Sequence, residues 1–353
     1  MIYVLVFICL IIARFTKTKK LYSIVFFLLF IFSAFRFEVG CDWTGYLNQY
    51  NVYGSDTFTE VISKREPLWG LVFFAQRAVG LPYPWINVFS SAVFFLGAHS
   101  LAKRQPNPLA FLVLLFPVLI INMPMSGIRQ GVAIGIVCLA FGAFIDQRLT
   151  RFVFLIVLAG GVHSSALLFL LLAPLVRGQY SWDRLALASL MAIPGGLALL
   201  STDNAALATS RYVNTGVDAA GAAFRVGLLV LTALFFFIIL RRKWASAFPR
   251  DYKLAALGAG AMIATMFMVP VSSVIGDRLG YYLVPIQAMI FARVPYLPLR
   301  AQRTFYIIVP YLALVLFLAT WVMRSSLFTP CYMPYQTWLF GPLDPSKYDV
   351  IIW

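Results

Sequence analysis

The sequence predicts an all-α polytopic membrane protein with about 12 transmembrane helices. Three observations predict it. Hydrophobic residues make up 61% of the 353 and charged residues 12%; a soluble domain carries about 25% charge, and no soluble fold could cover this much apolar surface. The apolar runs are continuous, whereas the strands of a membrane barrel alternate over about 10 residues. Basic clusters separate the runs at intervals that fit two crossings each.

In chain order, the runs place spans at 1–14, 21–35, 84–102, 107–122, 127–146, 151–162, 164–177, 185–200, 223–241, 251–270, 279–293 and 302–321. The basic clusters are ARFTKTKK after the first run, then Lys103 with Arg104, Arg148 with Arg151, Arg177 with Arg184, RRKWASAFPRDYK, and Arg293 with Arg300 and Arg303. With all of them on the cytoplasmic face, both termini lie outside. One run breaks the count. EPLWGLVFFAQRAVG (66–80) is short and carries Gln76 and Arg77. Counted as a span, it would flip every later basic loop outward, so it is expected to be an interfacial helix on the outer face. The run 151–177 suffices only for two short spans, broken near Gly160-Gly161, which sets His163 at the outer surface. The chain thus reads as a single membrane domain, 1–353, with outer loops 36–83 and 201–222 and an outer tail 322–353. The first run has no basic segment before it and does not read as a cleaved signal.

The net charge of +15 follows from this positive-inside pattern. No basic arm exists outside the loops, so nucleic acid is not an expected partner. Cys9 and Cys138 fall within spans. Cys41 and Cys331 fall on one side, which permits a disulfide without requiring it, and no cysteine has metal-ligand spacing.

The chemistry is expected on the outer face. Its basic residues are Arg36, Lys64, Arg65, Arg77, Arg129, Arg211, Arg225, Arg278, Arg324 and Lys347, mostly arginine, whose planar fork grips phosphate or carboxylate with two parallel hydrogen bonds. Arg129 lies in NMPMSGIRQGVAIG, where Pro124 and Gly127 suggest a broken helix start whose free N–H groups and dipole favour an anion. Arg211 and Tyr212 lie in TSRYVN; Arg278 lies in IGDRLGYYLVP with Tyr281 and Tyr282. The first outer loop interleaves Arg36, Glu38, Asp42, Glu60 and Glu66 with Trp43, Tyr46, Tyr50, Tyr53 and Trp69. Aromatic faces beside carboxylates suit sugar rings. An interfacial aromatic belt accounts for the rings but not for the clustered acids. His163 is either a general base, its ordinary pKa of about 6.5 suiting the task, or a helix-end histidine capped by Ser164 or Ser165. His99, near the inner end of its span, reads as structural. DxD, HExxH, GxSxG and P-loop motifs are all missing, so neither metal nor cofactor is expected.

Along the chain, FRFEVGCDWTGYLNQY, EPLWG, GIRQGVAIGI, GGVHSSALL, SRY, DRLGYY and MPYQTWL resemble the EpsG family of Wzy-type polysaccharide polymerases. Trp43 follows Asp42 where that family often has an aromatic such as Tyr. The resemblance implies a fold similar to the C-type membrane glycosyltransferases. It implies a multi-pass protein of the bacterial inner membrane that joins undecaprenyl-diphosphate-linked oligosaccharide repeat units on the outer leaflet. One such lipid-linked unit is donor and the other acceptor, and a flippase and a chain-length regulator are implied partners. Under the resemblance, Arg129, Arg211 and Arg278 would hold the donor diphosphate, and Arg36 would join them or pair with an acid. His163 would take the acceptor's proton or orient a diphosphate oxygen. Asp42 and Glu38 would be the alternative base, or would hold the acceptor. Trp43, Tyr46, Tyr212, Tyr281, Tyr282 and Tyr335 would line the sugar path. Rival readings are an O-antigen ligase-like transferase, a lipid-linked oligosaccharide flippase and a membrane acyltransferase. A flippase should show paired halves and charges buried mid-span.

Overall fold

In lipid, every backbone N–H and C=O must be satisfied within its own segment, which makes helices of long apolar runs. A computed structural model describes residues 2–15, 19–53, 56–64, 66–178, 181–184, 186–187, 190, 221–270, 272–299 and 303–341. Its helices are α1 Ile2–Arg14, α2 Lys19–Ala34, α3 Trp43–Tyr53, α4 Phe58–Ser63, α5 Pro67–Ala78 and α6 Trp85–Ala102. Next come α7 Pro108–Leu115, prolonged by a π-turn over Phe116–Ile120, then α8 Ile128–Ile145, α9 Leu149–Val162 and a 3₁₀ segment Ser164–Leu175. The last group is α10 Ala222–Phe235 with a second π-turn Phe236–Leu240, α11 Arg241–Ala247, α12 Pro249–Met268, α13 Ser273–Arg293, α14 Arg303–Arg324 and α15 Phe328–Tyr332. Among the described residues the one β-type pairing is an isolated antiparallel bridge between Arg36 and Thr337. The loop expected over 201–222 lies, apart from its last two residues, outside the described residues, and Arg211 and Tyr212 with it. So does most of the span expected over 185–200.

Trp85–Ala102, Ile128–Ile145, Ala222–Ala247 and Arg303–Arg324 are each long and apolar enough to cross a membrane. Five shorter apolar helices accompany them: Ile2–Arg14, Lys20–Ala34, Pro108–Ile120, Leu149–Val162 and Ser164–Leu175. The last, expected to be a short α-helical span, is instead a 3₁₀ helix. At about 2.0 Å per residue its 12 residues reach about 24 Å, where an α-helix would reach about 18 Å.

Helix α8 is the axis of the bundle, buried along nearly its whole length. It packs on α6 through glycines. An added Cβ at Gly97 would lie 1.9 Å from the Gly135 carbonyl oxygen, and one at Gly135 would lie 2.7 Å from Phe94 Cα. Small residues let helix backbones approach where lipid offers no hydrophobic drive for association. The glycine pair expected to break 151–177 serves packing instead. Gly160 and Gly161 continue α9, facing Leu167 and Leu68 side chains at 2.3 and 2.6 Å from an added Cβ. The break falls at His163, which is extended at φ −146°, ψ 111°.

The two ends of the bundle differ. At one, the ends of α6, α8, α12 and α13 are clamped by structural ion pairs. Arg104 grips Asp146 bidentately at 2.9 and 2.6 Å, and buried Arg293 pairs with Asp251 and donates to Gln105 Oε1 at 2.7 Å. At the other end α3, α4 and α5 form a cap, with the final described segment strapped against it. Phe37 N–H donates to Gln336 O at 2.9 Å, Trp338 N–H to Phe35 O at 3.0 Å and Gly40 N–H to Cys331 O at 2.6 Å. Cys41 and Cys331 form a disulfide beside these bonds. Gly40 is required here: its φ is +109°, and a Cβ would lie 1.8 Å from Met125 O.

Candidate active site

At the capped end lies a cleft of about 290 Å³ whose walls come from widely separated parts of the chain. Cys41, Asp42 and Tyr46 come from the first loop; Ser126, Arg129 and Gln130 from the start of α8; His163 from the α9 break. Arg225 comes from α10 and Asp277, Arg278 and Tyr281 from α13, while Trp321 and Tyr332 complete the wall.

Two of these wall residues, His163 and Arg129, are joined through Glu66. This residue is the N-cap of α5, and the following Pro67 loses nothing there because the first helical N–H has no intrahelical partner. Glu66 Oε1 accepts from His163 Nδ1 at 2.9 Å and from the Ser164 N–H at 2.9 Å, and Oε2 meets Arg129 Nη1 at 2.8 Å. Burial opposes the Glu66 charge, but the His163 hydrogen bond, the Arg129 cation and the Ser164 N–H outweigh it and bring the carboxyl down to about 2. Glu66 is therefore an ionised acceptor, which assigns the proton of neutral His163 to Nδ1 and leaves a lone pair on Nε2. Burial, with Arg129 and Arg278 adding to it against the pull of Glu66, lowers the His163 pKa and keeps the ring neutral. Among the described residues nothing hydrogen-bonds Nε2.

A second pair sits opposite. Arg225 holds Asp277 with two hydrogen bonds of 2.6 and 2.7 Å, both side chains buried. The mutual pairing neutralises Arg225 and leaves Arg278 on the cleft wall, anchored by a 2.6 Å bond from Gln130 Nε2 to its carbonyl. The α8 start differs from the expected cluster of open N–H groups. Gly127 N–H donates to Asn122 O, Ile128 N–H to Ser126 O, and Arg129 N–H to Tyr46 OH at 3.4 Å. The dipole remains, but anion recognition falls to side chains. Burial pushes the Tyr46 phenol up to about 12, so it is an OH group in the cleft.

The structure brings His163, Asp42, Arg129, Arg278, Tyr46 and Tyr281 to this one cleft. Asp42 is exposed and accepts from Ser126 Oγ at 3.4 Å. Other expected residues lie off it. Arg36 does not pair with Glu38 or Asp42. It is buried, with Nε donating to Val39 O at 2.8 Å and Met125 O at 2.9 Å, and Nη1 to Ser33 O at 3.0 Å. Burial lowers its pKa to about 10. Three backbone carbonyls occupy its fork, so it shapes the wall. Glu38 is exposed in a left-handed turn, φ 51°, outside the cleft lining. Trp43 is buried edge-on to Tyr83 at 5.0 Å. Tyr335 stacks on Phe32 at 4.6 Å and donates to its carbonyl. Tyr282 lies behind the cleft, its OH 3.1 Å from Ser165 Oγ. Sequence reasoning gave Glu66 no role of its own and left Asp277 as a neighbour of Arg278. The sequence cue for Glu66 is the carboxylate immediately before Pro67 in EPLWG.

A helical membrane bundle with an arginine-lined polar cleft at one end is the class of protein this architecture defines. The family model described as the EpsG family matches residues 19–337, from the start of α2 to the Thr337 that bridges Arg36. The chain belongs to the EpsG family. No curated protein and no solved structure matches it. Family membership supports a polysaccharide polymerase of the Wzy kind.

Proposed function

We propose that this protein is a glycosyltransferase that joins oligosaccharide repeat units carried on undecaprenyl diphosphate, at the outer leaflet of a bacterial inner membrane. The observation that carries the reading is the free Nε2 of a neutral His163, held by Glu66, on the same cleft as Arg278 and Arg129. An acceptor sugar hydroxyl would attack the anomeric carbon of the donor glycan. Its proton would pass to His163 Nε2 as the new C–O bond forms. The bond from the anomeric carbon to the diphosphate would break, the electron pair leaving on the diphosphate oxygen. Arg278 would neutralise the developing charge, with Arg129 contributing the N–H groups that Glu66 does not use. Glu66 plays the part of the third group that orients a catalytic base and stabilises its cationic form. Asp42 and Tyr46 would hold the acceptor sugar. Each of these roles uses only groups of the chain itself. The Cys41–Cys331 disulfide supports an extracytoplasmic cleft, because disulfides persist in oxidising compartments.

The test is the glycan ladder from cells that carry the protein as their one polymerase. His163→Ala and Arg278→Ala should leave single repeats on the carrier lipid. A full ladder from His163→Ala would remove the base, and full ladders from both Arg278→Ala and Arg129→Ala would remove the diphosphate clamp. Accumulation of free, unattached polymer would favour a ligase.

A further inference from the structure

The cleft opens sideways. Past Arg225, Trp321 and Ser325 it meets a mainly apolar cavity of about 500 Å³, which shares those three residues with it. That cavity in turn shares Leu228, Leu231 and Ala313 with a third of about 290 Å³. Together they form one groove between α10 and α14. It runs from Trp321 and Arg324 beside the cleft to Phe305 and Tyr306 near the other end of the bundle. Residues 305 to 324 of α14 cover about 29 Å, roughly the hydrocarbon thickness of a bilayer. The walls are aliphatic and aromatic. Of the polar groups along them, Thr232 and Gln287 satisfy each other at 2.8 Å, and Gln287 also bonds Leu228 O. Charge occurs only at the cleft end, as Arg225 and the exposed Arg324. Among the described residues Arg324 has no ion-pair partner.

We propose that this groove holds the polyprenyl chain of a lipid-linked substrate whose diphosphate lies in the cleft. The inference rests on the polymerase reading and adds where the carrier lipid binds and how it enters, laterally from the bilayer between α10 and α14. The occupant is set by the asymmetry of the groove, a long apolar trough that ends at the exposed Arg324 and the arginine-lined cleft, which complements one long hydrocarbon chain ending in an anion. Gly227 is the point of control. It lines the groove, and a Cβ added there meets no atom within 4 Å. A bulky side chain can therefore enter the trough without disturbing a helix contact.

The experiment uses the full-length protein in phosphatidylcholine nanodiscs and a polyprenyl diphosphate bearing a diazirine on its isoprenoid chain. Irradiation should label peptides covering residues 224–231 and 313–320. Excess unlabelled polyprenyl diphosphate should remove the label, and the same excess of phosphatidylglycerol should not. Gly227→Trp should lose most of the label and Gly227→Ala should keep it. Should the tryptophan variant fail to fold, Leu231→Trp, at an exposed residue lining both apolar cavities, replaces it. Label confined to helices other than α10, α13 and α14, label competed equally by phosphatidylglycerol, or label unchanged by either tryptophan would overturn the proposal. The ladder assay separates the two readings. A normal ladder from His163→Ala with groove labelling intact sinks the catalytic scheme and leaves the groove standing. A ladder lost in His163→Ala with label outside the groove sinks the groove alone.

Discussion

His163 commits one ring nitrogen to Glu66 and keeps the other for the cleft. In the proposed scheme His163 accepts a proton only when neutral, and burial together with Arg129 and Arg278 holds its pKa below the ordinary value. Polymer formation should therefore stay flat through neutrality and fall as pH drops through that lowered pKa. Glu66 is the one neighbour raising the His163 pKa, so Glu66→Gln should move the acid limb to lower pH while lowering the plateau. A pH–rate profile of both proteins checks this, and an acid limb that moves upward would contradict it. His163→Ala should cost roughly 10²–10⁴-fold, the usual worth of a positioned base. Arg278→Ala should cost about 10²–10³-fold, as for loss of one donor to a developing anion. Arg278→Lys should restore only part, since an ammonium lacks the planar fork. Initial rates from membranes with a lipid-linked donor read all three.

Among the elements, the α9 break shows why the segment behaves as it does. Eleven continuous apolar and small residues, Phe152 to Val162, precede a histidine whose backbone turns extended because Glu66 ties both its ring and the next N–H. The following 3₁₀ winding stretches a run too short for a second α-helical crossing. Hydrophobicity located both halves, but periodicity does not distinguish a 3₁₀ helix from an α-helix in a segment apolar on every side. Nor does a Gly-Gly pair announce whether it breaks a helix or lets a neighbour approach. The α6–α8 contact gives a sharp prediction. Gly97→Leu has no room against the Gly135 backbone and should destabilise by at least the ~1–3 kcal/mol of an overpacked core. Gly260→Ala on α12, where an added Cβ meets nothing, should not. Thermal unfolding in detergent compares the two, and equal melting temperatures would refute the contact.

For the whole molecule, the strap joining the first loop to the final segment closes the cleft end. Its disulfide links residues 290 apart in sequence. Cys41→Ser/Cys331→Ser should lower stability by about 2–4 kcal/mol, and a reductant should lower the melting temperature of the parent protein to that of the double variant without affecting the variant. A parent protein insensitive to reductant would argue against the bond. The same cysteines report orientation. In intact cells, after reduction, a membrane-impermeant maleimide should label Cys41 and Cys331 but not buried Cys138. Labelling only in opened cells would invert the topology and place the cleft on the cytoplasmic side.

Sequence alone determined the helical membrane class and picked out Asp42, Tyr46, Arg129, His163, Arg278 and Tyr281 among the residues that line the cleft. Each of these is written in local quantities: run length, charge sign and side-chain chemistry. The tertiary structure decided where each charge is placed. Arg36, Arg225 and Arg278 look alike along the chain. Packing gives the first to three carbonyls and the second to Asp277, and sets the third on the cleft wall. It also joined Glu66 to His163 and Arg129, residues far apart in sequence. A guanidinium or carboxylate is defined by its partner, and partners far apart in sequence are set by how the helices pack.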